Sequence, residues 1–362
     1  MSVRHTDKIV VVGMSGGVDS SVAAYLLKEQ GYNVIGVTMQ IWQDEDYDLQ
    51  SHNGGCCGLS AVDDARRVAE QIGIPYYVMN FKAPFKEKVM DYFIAEYEAG
   101  RTPNPCIACN RYVKWESLLK RSMEIGADYI ATGHYARIKK LPDGRYTLFR
   151  SVTDEKDQTY ALYSLTQEQL SRTLMPIGEY TKEEVRAIAK KAGLSTSSKP
   201  DSQDICFVPN GKYGEFILNN TKKDILPGNF VDTQGNILGK HRGIVYYTVG
   251  QRRGLGIGAG ERLYVLEIHS DTNEVVLGRD DELLTRRVRA EEFNYMAIDN
   301  ISEEIKVTAK IRYNHRGAEA VLRKVNDQYV ECLFDRPQRA PTPGQALVCY
   351  KDGYVIGGGT IQ

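Results

Sequence analysis

The sequence predicts an α/β domain on a parallel sheet, then a small β-rich central domain and a C-terminal β-barrel. Three observations carry that expectation. Short β-branched runs alternate with segments of helical period through roughly the first two hundred residues. A glycine-rich string lies between the first strand and the first helix. After residue 212 helical periodicity gives way to short strands punctuated by turn signals.

The elements follow in order. Lys8 to Val12 is an apolar β-branched run, and Ser20 to Gln30 has helical periodicity with Val22, Ala23, Leu26 and Leu27 on one face and Gly31 as its stop. Val34 to Met39 reads as the second strand, Leu59 to Ile72 as an amphipathic helix and Pro75 to Asn80 as the third strand. Phe85 to Ala99 and Lys114 to Ile125 read as helices, and Tyr129 to Thr132 as a further strand. Beyond residue 212, Thr233 to Asn236 and Ser270 to Asn273 are hairpin turns. The runs 306–312, 318–325, 329–334, 346–350 and 354–359 are the short, evenly spaced strands of a barrel or sandwich. The expected domains are residues 1–211, 212–287 and 288–362.

Composition sets the broad class. Apolar residues make up 42% and charged residues 26%, as in soluble globular chains. No apolar run approaches the ~18 residues of a membrane span, and the polar N-terminus runs straight into a strand. The expectation is a cytoplasmic protein with no membrane partner. A net charge of -1 means that any RNA contact must come from local patches. Seven cysteines in a reducing compartment point to chemistry, metal ligation or burial rather than disulfides.

The most specific motif is Gly13-Met14-Ser15-Gly16-Gly17-Val18-Asp19-Ser20. Adjacent glycines let an anion approach the main chain, and the following helix offers unpaired N–H groups to phosphate oxygens. Ser15 and Ser20 can add hydroxyl donors. The glycine-lysine-serine/threonine ending of a Walker loop is missing. The string resembles the pyrophosphate (PP) loop of the ATP pyrophosphatase superfamily. That resemblance implies a PP-loop, adenine nucleotide alpha hydrolase-like fold that splits ATP and adenylates a carbonyl oxygen. It also implies ATP contacts from Gly13 through Ser20, from Met39 after the second strand and from Gly133 after a later one. His134 beside it is read as structural or nucleotide-lining rather than catalytic.

The cysteines narrow the chemistry. Cys106 and Cys109 lie in Asn104-Pro105-Cys106-Ile107-Ala108-Cys109-Asn110, where the prolines predict a stiff, non-helical loop up to about Lys114. Cys206 lies in Ser202-Gln203-Asp204-Ile205-Cys206-Phe207, within a long polar stretch from Ser195. These motifs, with Gly239 to Gly243 and Tyr247 to Ile257, are similar to the bacterial tRNA-specific 2-thiouridylase family over nearly the whole chain. The resemblance implies that ATP activates the C2 oxygen of the wobble uridine of tRNA. Cys206 would carry a persulfide, with Cys109 as its partner thiol. Asn104, Pro105 and Cys106 would line the uridine, while Lys156, Asp157, Gln158, Arg312 and Tyr313 would contact tRNA. Lysine, glutamate and glutamine tRNAs are the substrates expected of the family. A sulfur-relay protein or cysteine desulfurase would be the donor, and Mg²⁺ would accompany ATP.

One departure matters. Many members of that family have aspartate where this chain has Cys106. The resulting Cys-x-x-Cys plus Cys206 supplies three thiolates, enough for a [4Fe–4S] cluster with one open iron, so cluster and persulfide chemistry both stand as expectations. A zinc site lacks a fourth ligand. Cys56 and Cys57 read as a turn or an auxiliary relay, and Cys332 and Cys349 as buried strand thiols. For RNA, Lys240, His241, Arg242, Arg252, Arg253 and Arg262 form one basic cluster, and Arg286, Arg287 and Arg289 another. Tyr246, Tyr247 and Tyr313 are stacking candidates. Two other functions fit parts of this pattern: an amide-forming PP-loop ligase or amidotransferase, and a non-catalytic RNA-binding protein stabilised by metal.

Overall fold

The run Ile9–Gly13 forms β1, and its Val10, Val11 and Val12 are wholly inaccessible to solvent. A strand apolar on both faces belongs at the centre of a parallel sheet covered on both sides. The computed structural model describes residues 7–41, 59–200, 205–208, 211–258 and 260–362. Cys56, Cys57 and the Ser202-Gln203-Asp204 part of the Cys206 motif lie outside these residues. The chain divides into two compact units. The first comprises Met1–Val89, Cys106–Pro209 and Gly353–Val355, and the second Met90–Pro105, Asn210–Asp352 and Ile356–Gln362.

From the N-terminus, β1 is followed by α1 (Val18–Glu29), β2 (Asn33–Gln40), α2 (Leu59–Ile72) and β3 (Tyr76–Asn80). A helix α3 spans residues 82–98 with a π-helical stretch at Lys86–Asp91, and a helix α4 spans 105–124 with one at Cys109–Leu118. Then come β4 (Tyr129–Ala131), the hairpin β5 (Ala136–Lys140) and β6 (Tyr146–Arg150), α5 (Gln167–Ser171), β7 (Thr173–Leu174) and α6 (Lys182–Lys191). The sheet order is β3-β2-β1-β4-β7, all parallel. Val22, Ala23 and Leu27 of α1 pack with Ala65, Val68 and Ala69 of α2 and Val185 and Ala189 of α6. Each large aliphatic side chain so buried contributes roughly 1.5–3 kcal/mol. Order reverses between β1 and β4, so the crevice at their carboxyl ends is where an open α/β sheet takes its ligand.

The structure corrects the non-helical loop expected around the first cysteine pair: α4 begins at Pro105, and Cys106 and Cys109 are both helical. Proline breaks a helix interior but suits its first position, where its fixed φ is helical and its missing N–H costs nothing. Asn104 immediately before it is a favoured capping residue.

The second unit contains the helix α7 (Tyr213–Asn220) and a four-stranded sheet of β8 (Gly228–Val231), β9 (Ile237–His241), β10 (Tyr264–His269) and β11 (Glu274–Gly278), in the order β10-β11-β8-β9. Beyond it β12 (Leu284–Tyr295), β13 (Ile305–Lys310), β14 (Ala318–Lys324), β15 (Tyr329–Arg339), β16 (Ala346–Lys351) and β17 (Tyr354–Ile361) follow one another. They pair in the order β12-β15-β14-β13-β16-β17, and β17 returns to β12 with Ala290 opposite Ile361. The barrel-or-sandwich expectation therefore resolves to a closed six-stranded barrel, which leaves no open edge. Cys332 and Cys349 are buried in its strands, and a hydrogen bond with Cys332 together with burial pushes the Cys349 thiol well above its usual range. Among the described residues no helix is long and apolar enough to cross a membrane.

Candidate active site

The phosphate loop joins β1 to α1 at the carboxyl edge of the sheet. Met14 N donates to Val37 O at 2.8 Å and Thr38 Oγ1 to Met14 O at 2.7 Å, which fixes the start of the loop on β2. Ser15 N donates to Ser20 Oγ at 3.1 Å, and Ser21 Oγ to Gly17 O at 2.8 Å, which folds the loop over the first turn of α1. Gly16 has φ +66°, and a Cβ there would sit 2.3 Å from Ala61 O. Gly133, after β4, comes so close to α1 that a Cβ would lie 2.6 Å from Ser20 N. The structure thus brings Gly13, Met14, Ser15, Gly16, Gly17, Val18, Asp19, Ser20 and Gly133 together, and half-buried Met39 lies near the end of β2 at the same carboxyl edge. A glycine cradle on the N-terminus of a three-turn helix suits the phosphates of a nucleotide.

Two lysines that motif reading missed attend this loop. Lys182 Nζ bonds both oxygens of Asp19 at 2.8 and 2.9 Å, and Tyr135 OH donates to Asp19 at 2.7 Å. Lys199 Nζ donates to Gly16 O at 3.0 Å and to Asp64 at 2.7 Å. Thr181 and Glu184 form a capping box that marks the start of α6, a legible signal, but nothing local says that Lys182 reaches Asp19.

The cysteine helix is tied to the same edge through its side chains. Lys114 Nζ donates to Asn110 Oδ1 at 2.9 Å and lies 3.5 Å from His134 Nε2, while His134 Nδ1 is 2.8 Å from Thr132 Oγ1. An ammonium only donates, so Nε2 accepts and Nδ1 carries the proton. Desolvation of the ring, reinforced by the Lys114 charge, holds His134 well below its usual pKa, so it is neutral. His134 therefore positions the loop after β4 and holds no acidic proton of an imidazolium.

Cys106 is exposed, whereas Cys109 and Cys206 are half-buried. Phe207 next to Cys206 is buried edge-on against Phe85, with ring centres 5.7 Å apart. Among the described residues no three His, Cys, Asp or Glu side chains converge as a metal site. Cys106, Cys109 and Cys206 are thus not gathered as ligands for a [4Fe–4S] cluster, nor is a carboxylate set formed for Mg²⁺ among those residues. The Asp19 carboxylate is already engaged by Lys182 and Tyr135.

The expected RNA contacts fare unequally. Asp157 is buried and accepts from Ser151 N and Thr159 Oγ1, and Gln158 Oε1 accepts from Tyr135 N, while Lys156 is half-buried. Pro105 is buried and Asn104 half-buried. His241 and Tyr247 leave the basic and stacking sets, because both are buried against Phe230. His241 Nδ1 accepts from Gly243 N, and burial lowers its pKa. Arg242 lies 3.8 Å over the Tyr246 ring, and Tyr313, beside Arg312 in the turn after β13, is 41% exposed. On the barrel, Arg287, Arg289 and Arg323 converge on buried Glu331 at 3.5, 3.1 and 2.6 Å.

A parallel sheet with a glycine cradle at its carboxyl edge defines a nucleotide-binding α/β protein, followed along the chain by β-rich domains. Family models match three successive stretches of the chain. They are described as a tRNA methyl transferase HUP domain over residues 8–210, a tRNA methyl transferase PRC-barrel domain over 214–279 and an aminomethyltransferase beta-barrel domain over 285–361. A Lachnoclostridium phytofermentans protein named tRNA-specific 2-thiouridylase MnmA is 67% identical over 354 residues, covering 98% of this chain and 99% of its own. Proteins of the same name from Acetivibrio thermocellus and Clostridioides difficile are 59% and 55% identical, each over 98% of this chain and 99% and 98% of their own. The chain belongs to the tRNA-specific 2-thiouridylase family. It is an ATP-using enzyme that acts on tRNA to form 2-thiouridine.

Proposed function

We propose that the chain adenylates the C2 oxygen of the wobble uridine and replaces that oxygen with sulfur carried by Cys206. The observation that carries this reading is the phosphate cradle at the switch point of a unit that also holds Cys109 and Cys206. In the first step the uridine C2 oxygen attacks the α-phosphate of ATP and pyrophosphate leaves. In the second, the terminal sulfur of a Cys206 persulfide attacks C2, and AMP departs with the former oxygen. Cys109 thiolate then attacks Cys206 Sγ, the sulfur–sulfur bond of the persulfide breaks, and the transferred sulfur stays on uridine. The product Cys109–Cys206 disulfide must be reduced before the next cycle. Asn104, Pro105 and Cys106 line the uridine, with Lys156, Arg312 and Tyr313 on the tRNA. A base must leave its stack for this chemistry, which an anticodon loop makes less costly.

Mg²⁺ enters with the triphosphate rather than in a protein cage. The tRNAs are those for lysine, glutamate and glutamine, and a relay protein or desulfurase loads Cys206. A cytoplasmic location belongs to this reading, because the thiols must be kept reduced.

The test measures pyrophosphate release and thiouridine formation together on wobble-uridine tRNA. Cys206→Ser should lose thiolation by orders of magnitude while tRNA-dependent pyrophosphate release persists. Thiolation that survives in both Cys206→Ser and Cys109→Ser would sink the persulfide route.

A further inference from the structure

We infer that Lys199 is the ammonium that binds the terminal phosphates of ATP, an assignment that rests on the adenylation reading above. The loop from Ser15 to Ser20 offers N–H groups and hydroxyls but no cation of its own, since it lacks the lysine that ends a Walker loop. Two ammonium groups from elsewhere in the first unit reach it, and their settings differ.

Lys182 is enclosed, with its side chain 9% exposed and both oxygens of Asp19 bonded to it. Its charge is matched within the protein. Lys199 is one-third exposed and sits directly on the loop, 3.0 Å from Gly16 O. Its remaining partner, Asp64, also has Arg67 at 3.7 Å, so that carboxylate keeps a cation when Lys199 turns to another anion. A partly exposed lysine–carboxylate pair contributes little to folding. A lysine at a phosphate cradle, by contrast, is a natural partner for terminal phosphate oxygens.

The backbone that carries Lys199 is fixed. Lys199 N donates to Thr196 O at 3.0 Å. Arg186 of α6 donates to the carbonyls of Ser197 and Lys199, both at 3.1 Å. Lys182 and Arg186 lie one turn apart on α6, so one helix sets both the Asp19 side of the cradle and the turn that delivers Lys199. A charged side chain held at an anion cradle by a braced backbone is the arrangement expected of a preorganised binding group.

The experiment compares equilibrium binding of ATP, inorganic pyrophosphate and AMP to the full chain and to Lys199→Met and Lys199→Arg, with thermal unfolding as a check on folding. Lys199→Met should weaken ATP and pyrophosphate by about 10–100-fold, the value of one charge-assisted hydrogen bond. AMP should change by less than about twofold, and Lys199→Arg should recover most of the pyrophosphate affinity. Equal losses for ATP and AMP, or no loss for either, would overturn the assignment while leaving adenylation intact. A wild-type chain that binds neither ATP nor pyrophosphate would overturn adenylation and this assignment together.

Discussion

Asp19 and Glu331 are both carboxylates bonded to cations, one in each unit, and they serve opposite ends. Asp19 is bonded by one ammonium and one phenol, Lys182 and Tyr135, so its charge is matched one for one. Glu331 accepts from Arg289 and Arg323 with Arg287 at 3.5 Å, so one negative charge gathers three positive ones. The arginine side chains remain 44–59% exposed, whereas Glu331 is 1% exposed. The first arrangement makes a neutral, rigid floor beneath a site that must receive an anion. The second uses one buried carboxylate, with exposed Glu304 also 3.9 Å from Arg323, to hold three arginines at the surface of a chain whose net charge is only -1.

The sharpest way to break the comparison is to remove the matched cation. Lys182→Met leaves Asp19 with Tyr135 alone and should cost roughly 2–4 kcal/mol of unfolding free energy, towards the lower end because Asp19 is partly exposed. It should also weaken ATP binding, since Asp19 belongs to the first turn of α1. The double variant with Asp19→Asn should recover part of that stability. Denaturant unfolding of the three chains decides it: a single variant as stable as the parent would mean that Asp19 needs no partner.

Glu331→Gln tests the other side and should cost about 1–2 kcal/mol at neutral pH, because two of the arginines lose a charged acceptor. Burial alone would raise the Glu331 pKa, but hydrogen bonds from Arg323 and Arg289 and the charge of Arg287 outweigh it and hold it below its usual value. A carboxyl lowered in the folded state stabilises above its unfolded pKa, about 4.3. That contribution is lost as pH falls through the folded value. The stability gap between parent and variant should therefore be full at neutral pH and close on acidification below about pH 4. A gap that stays constant to low pH would remove charge from the explanation.

Sequence makes one of these carboxylates visible and hides the reason for it. Asp19 stands inside a contiguous string whose function follows from local geometry, so Gly16 and Gly17 announce the cradle directly. Lys182 and Lys199 reach that cradle from far along the chain, and no local pattern encodes such reach. Five of the six barrel strands are legible as short β-rich runs between turns. Val307 and Ala309 in β13 and Ala320 and Leu322 in β14 are buried in alternation, whereas β16 and β17 are buried at consecutive residues and β12 is not marked as a strand by its sequence. The helical state of Cys106 and Cys109 is hidden because a proline such as Pro105 both breaks helices and starts them, and only the fold decides which. His241 resembles part of a basic cluster, yet its ring is buried by Phe230 and Tyr247, a tertiary outcome that charge counting does not reveal.

The smallest effect bears on what the arginine surface is for. Arg287 and Arg289 alternate along β12, and Arg289 and Arg323 face Glu331 from the strands on either side of it. If tRNA phosphates meet this face, Arg289→Gln should weaken tRNA binding by only a few-fold, because Arg287 and Arg323 remain. The more telling quantity is the salt dependence. Each phosphate that a side chain no longer neutralises reduces the slope of log affinity against log salt by about 0.7–0.9. One neutralised arginine should flatten the slope by about that amount and leave ATP binding unchanged. The triple neutralisation of Arg287, Arg289 and Arg323 separates binding from folding when paired with Glu331→Gln, which removes the carboxylate they would otherwise leave buried and alone. An unchanged slope in that combined variant would make the cluster a brace for the barrel rather than a surface for RNA.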